Sequence, residues 1–183
     1  MNWLGTIFIL ATAYVAVFLE ASIDLPRRWL GAHLSLLPAL MVYASLSRTI
    51  GAVALLAVCG GLWLDSLSAN PLGVSILPLF LIGFILLQKR DLLLRESPAA
   101  QLALGLAAGA FFQLGTLFLL LNLGVSPLLG WMFLWQLLAA SLAGGFLTPV
   151  CFALLDRLCR AFEYPPLNQT SFRADREIKR GRN

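Results

Sequence analysis

Residues 50–87 read IGAVALLAVCGGLWLDSLSANPLGVSILPLFLIGFILL, two apolar runs separated by a short polar stretch from Asp65 to Pro71. Asp65 is the only charged residue among them. An uncharged run of some 16 residues followed by a break and a second such run predicts two membrane-crossing helices joined by a tight connection. The break itself carries Ser, Asn and Pro, residues that turn a chain or end a helix.

The same pattern extends in both directions. Upstream, residues 3–19 carry no charge, and a helix is expected over 3–21 and to be retained in the mature chain, since no basic stretch or small-residue cleavage site marks it as a signal peptide. Ser22 to Trp29, with Asp24, Pro26, Arg27 and Arg28, reads as a water-facing connection. A short second helix over 33–46 is expected to be kinked by Pro38 or half-buried among its neighbours. The third and fourth helices are expected over 50–64 and 72–87.

Downstream, Gln88 to Pro98 brackets apolar residues with charges, in the manner of a short interfacial helix. Residues 99–155 are too long for one span, and Asn122 to Pro127 supplies the turn that divides them into helices over 99–121 and 130–158, the latter kinked at Pro149. The expected fold is therefore an all-α integral membrane protein, a bundle of about six transmembrane helices over residues 1–159, with a basic, disordered cytoplasmic tail over 160–183.

Composition agrees with that class. The 183 residues are 60% hydrophobic and 12% charged, about half the charged fraction of an ordinary soluble domain. Six spans partition the 13 Lys and Arg so that only Arg27 and Arg28 fall on the side away from the termini, which predicts both termini in the cytoplasm. The net charge of +4 lies in connections and the tail, a placement suited to anionic lipid headgroups and not to nucleic acid.

No enzyme chemistry assembles from this inventory. One histidine, His33, and three widely spaced cysteines, Cys59, Cys151 and Cys159, give no metal-ligand spacing, and no nucleophile motif or phosphate loop is present. No cofactor is expected. The polar residues within or beside the spans each admit two readings. Gln113 and Gln136 either bond between helices or line a pocket. Asp65 either caps backbone N–H groups of the Ser66 to Asn70 break, helped by Ser68 and Asn70, or anchors a ligand, a proton or a partner, while Glu20 and Asp24 reach headgroups or water. Small residues four apart, Ala57 with Gly61, Gly105 with Gly109, Ala139 with Ala143, Ala140 with Gly144, and Ser141 with Gly145, either pack the bundle internally or present a face to a partner's helix.

The segment from Gly60 to Ser75, with Asp65, Ser68, Asn70, Pro71, Leu72 and Gly73, resembles the signature of the rod-shape-determining MreD family of bacteria, although Ala69 stands where that family commonly has glycine. A looser likeness covers Leu36 to Ala44. The resemblance implies a non-catalytic scaffold of the inner (cytoplasmic) membrane in the cell-elongation machinery, one that binds the single-span protein MreC beside the MreB filament and supports the lateral-wall peptidoglycan synthase. It also implies a fold similar to the substrate-binding subunits of energy-coupling-factor vitamin transporters, so a vitamin-capturing membrane subunit is the alternative function. Those subunits usually carry Ala-x-x-x-Ala on the first helix, where this chain has Thr12 and Ala16. On the scaffold reading, the small-residue faces of the fifth and sixth helices clasp the partner helix.

Overall fold

The computed structural model describes residues 3–22, 35–68, 70–90, 97–124 and 130–162. Every regular element among them is a helix: α1 (Trp3–Ser22), α2 (Leu37–Ser47), α3 (Ile50–Leu67), α4 (Ile76–Lys89), α5 (Pro98–Asn122) and α6 (Trp131–Phe162). Four of these, α1, α3, α5 and α6, are long and apolar enough to cross a membrane; α2 and α4 are apolar but shorter. These are the features of an all-α membrane protein.

The shortest helix is the centre of the fold. α2 has 11 residues, about 16 Å of helix, roughly half a hydrocarbon core. Its sequence LPALMVYASLS has no polar face, so every side of it can pack in protein, and at this length its two ends cannot both reach water across a membrane. Leu37 through Ser45 are all buried, and α2 packs against α1, α3, α4, α5 and α6. The second helix is thus neither kinked nor half-buried, as its sequence suggests. Pro38 sits in the first turn, where a missing N–H costs nothing and the fixed φ suits a helix start.

Around α2 the chain goes up and down. One end of the bundle gathers the start of α1, the α2–α3 turn and the end of α6: the Arg48 guanidinium lies against Gly5, and the Tyr43 hydroxyl donates to Asp156 Oδ1 at 3.1 Å. Tyr43 is also edge-on to Phe152, with ring centroids 5.0 Å apart, so α2 is tied to α6 by both ends of one aromatic side chain. The opposite end gathers the end of α1, the start of α2 and the α3–α4 connection.

α5 and α6 form the closest helix pair, and small residues make it possible. A Cβ built on Gly105 would strike the Gly144 carbonyl and Thr148; one on Gly144 would stand 2.6 Å from the Gly105 carbonyl; one on Gly109, 2.8 Å from the Ala140 carbonyl. Gly145 receives Leu106, and Ser141 Oγ donates to the Leu106 carbonyl at 3.2 Å. Of the two readings of these small residues, internal packing is the arrangement of Gly105, Gly109, Ala140, Ser141, Gly144 and Gly145, whose faces on α5 and α6 lie against each other.

Boundaries shift modestly from the sequence reading. α6 runs uninterrupted through Pro149 to Phe162, so the expected domain boundary at 159 falls inside a helix. Thr148 Oγ1 bonds the Gly144 carbonyl at 2.7 Å in the turn that Pro149 leaves one donor short. The connection with Arg27, Arg28 and His33, the interfacial segment over 91–96, and the tail from 163 lie outside the described residues.

Gly144→Leu should force α5 and α6 apart and lower stability by about 2 kcal/mol or more, read as a fall in the thermal midpoint in mild detergent. An unchanged midpoint would mean that the two backbones are not in contact there.

Candidate functional site

Where α3 ends and α4 begins, one carboxylate organises the connection. Asp65 lies two residues before the last residue of α3 and is 1% exposed. Its Oδ2 accepts the Gly73 N–H at 2.8 Å and the Ser75 N–H at 3.1 Å, and its Oδ1 accepts the Ser75 hydroxyl at 2.5 Å. Three donors converge on an acceptor-only group, and hydrogen bonds to a charged partner are worth about 1.5–3 kcal/mol each. That sum is of the order of the several kcal/mol needed to take a carboxylate out of water.

The local reason is the start of α4. Ser75 occupies the N-cap position with helical backbone angles and makes no side-chain cap, its hydroxyl donating to Asp65 instead. The carboxylate therefore supplies, from a neighbouring helix, the negative charge that an N-terminus favours. Other orphan donors are removed cheaply: Ile76 N–H reaches the Gly73 carbonyl at 3.3 Å and Pro78 has no N–H, while regular helix bonding begins with Leu79 N–H to the Ser75 carbonyl at 3.3 Å. Gly73 adopts φ +96°, which brings its N–H round to the carboxylate and which a side chain would resist.

The sequence reading of Asp65 as a cap is corrected in its target. Among the described residues the carboxylate bonds not the Ser66 to Asn70 break but Gly73 and Ser75 beyond it, the side chain being buried at the end of α3. Within the break, Ser68 supports the turn by itself: its N–H and hydroxyl both donate to the Asp65 carbonyl at 3.3 Å, and its Oγ accepts the Asn70 N–H at 3.3 Å. Asn70 is half-buried, and Pro71 and Leu72 are exposed. Asp65, Ser68, Asn70 and Gly73 are thus linked by hydrogen bonds, and the Pro71 carbonyl accepts the Val74 N–H at 3.4 Å.

A second carboxylate does similar work one hairpin earlier. Glu20, also two residues before the end of its helix, accepts the Leu36 N–H through Oε2 at 3.3 Å. Leu36 is the N-cap of α2 and offers no side-chain cap of its own. Glu20 therefore turns into the bundle toward α2 where headgroups or water were expected. Val17, Glu20, Ala21, Leu64, Leu67 and Ser68 line a shallow cleft between the ends of α1 and α3.

Sequence reasoning missed the Glu20–Leu36 and Tyr43–Asp156 links, which join residues 16 and 113 positions apart. No local pattern signals the first link, because Ser35 offers a cap beside the helix start and yet Leu36 takes the N-cap position with no side-chain cap. Gln113 and Gln136 are half-buried in α5 and α6. Cys59 and Cys151 are free thiols, and no three His, Cys, Asp or Glu residues converge among the described residues. No family model, curated protein or solved structure matches the chain.

Substitutions at Asp65 separate hydrogen bonding from charge. Asp65→Asn keeps an acceptor for the two backbone donors and should cost about 1 kcal/mol. Asp65→Leu strands two backbone N–H groups and a hydroxyl and should cost about 3 kcal/mol or more. Thermal unfolding in detergent checks the ranking, and equal losses for both variants would rule out the bonding scheme.

Proposed function

We propose that the chain is a non-catalytic scaffold of the bacterial inner membrane, a member of the cell-shape and elongation machinery that binds an MreC-like single-span protein and supports lateral-wall peptidoglycan synthesis. The observation that carries the reading is the Asp65 to Ser75 turn. The residues on which the MreD resemblance rests, Asp65 and Gly73 above all, are the ones joined by the buried carboxylate, so the motif corresponds to a definite piece of geometry.

Two further features support a scaffold over a vitamin-capturing subunit. The centre of the bundle is filled by α2, whose side chains from Leu37 to Ser45 are buried. The polar atoms of Asp65 bond to the chain itself. Such a centre is suited to holding a shape for partners.

In this proposal both termini face the cytoplasm, following the distribution of Lys and Arg. The Asp65 turn and the Glu20 cleft then face the periplasm, where a single-span partner's extramembrane part begins. Because α5 and α6 use their small residues on each other, the partner helix binds an outer face of the bundle, and the filament and synthase are reached through that partner or through the basic cytoplasmic side.

Affinity purification of the tagged chain in mild detergent, with identification of what accompanies it, tests the proposal. A single-span protein with a periplasmic domain is the expected companion. Energising ATPase subunits, or a vitamin retained in the bundle, would overturn it.

A further inference from the structure

The circumference of the bundle is apolar over very different heights. On α6 the outward residues run from Trp131 through Leu138, Leu142, Phe146 and Val150 to Leu154, all about half exposed or more, over about 35 Å of helix. On α4 the outward row is Leu77, Leu81 and Ile85, and the helix is apolar only from Ile76 to Leu87, about 17 Å. Gln88, Lys89 and Arg90 are exposed immediately below. A hydrocarbon core is about 30 Å thick.

A free helix could tilt or slide to relieve such a mismatch. α4 cannot, because its start is tied to the end of α3 through Asp65, and its middle is keyed to the central helix at Gly83, where an added Cβ would meet Val53 and, at 2.7 Å, the Met41 sulfur. The adjustment therefore falls on the lipid. We infer that the α4 face is a site for a locally thinned bilayer, preferring phospholipids with short acyl chains and anionic headgroups, the latter held by Lys89 at the end of the apolar row. The inference rests on the membrane reading of the fold and is independent of which partner the chain binds.

The preference is measurable face by face. The five native tryptophans are replaced by Phe, and a single probe is introduced as Leu81→Trp on α4 or Phe146→Trp on α6. Each full-length protein is reconstituted in phosphatidylcholine vesicles, and brominated lipids of 14-, 18- and 22-carbon chains compete to quench the probe. The α4 probe should favour 14-carbon over 22-carbon lipid by about threefold or more, and the α6 probe should not. In vesicles containing phosphatidylglycerol, Lys89→Gln should abolish the preference of the α4 probe for the anionic headgroup.

Identical chain-length profiles at both faces would overturn the thinning, and an unchanged headgroup preference would overturn the role of Lys89. If neither probe is quenched by any brominated lipid, the membrane placement falls and the inference with it. Should the tryptophan-free protein fail to fold, each probe is added singly to the natural chain and read as a difference spectrum, with the same outcomes deciding.

Discussion

A helix that stops inside a membrane leaves backbone N–H groups with no water to satisfy them, and this bundle answers that constraint with carboxylates borrowed from neighbouring helices. Asp65 at the end of α3 serves the start of α4, and Glu20 at the end of α1 serves the N-cap residue of α2. Each acid stands two residues before its own helix ends, at the height where the next helix begins. Two short helices can then exist among four long ones.

That arrangement fixes the rest. Once α2 is allowed to be short, it can be wholly internal, and the other five helices pack on its uniformly apolar surface. At its far end the Tyr43–Asp156 bond and the ring contact with Phe152 secure α6 to the same axis. α5 and α6, lying backbone to backbone through Gly105, Gly109 and Gly144, close the bundle without large side chains. The resulting outer surface is apolar to unequal heights, which is what ties the internal bonding to the surrounding lipid.

Much of this was legible beforehand, for reasons that can be named. Uncharged runs and Pro- and Asn-bearing breaks place helices because burying charge in hydrocarbon is costly, and a helix lies on each of the six expected segments, although only four, α1, α3, α5 and α6, are long and apolar enough to cross a membrane where six spans are expected. The cap function of Asp65 also follows from chemistry, since a buried carboxylate needs donors. Its target does not follow, because Gly73 and Ser75 come within reach only once the chain has folded back. Pro38 shows the same limit: a proline inside an apolar run reads equally as a kink or as a helix start, and only the packing of α2 decides. Glu20 looked like an interfacial acid because no local pattern reveals that Leu36 will lie beside it.

The central claim is that Asp65 holds the backbone of the next helix, and amide hydrogen exchange in micelles tests it at the atoms concerned. If the account is right, the Gly73 and Ser75 amides of the unsubstituted protein exchange as slowly as the amides of α2, opening only with the bundle. Exchange of both at the rate of an exposed loop amide, while α2 stays protected, would contradict it.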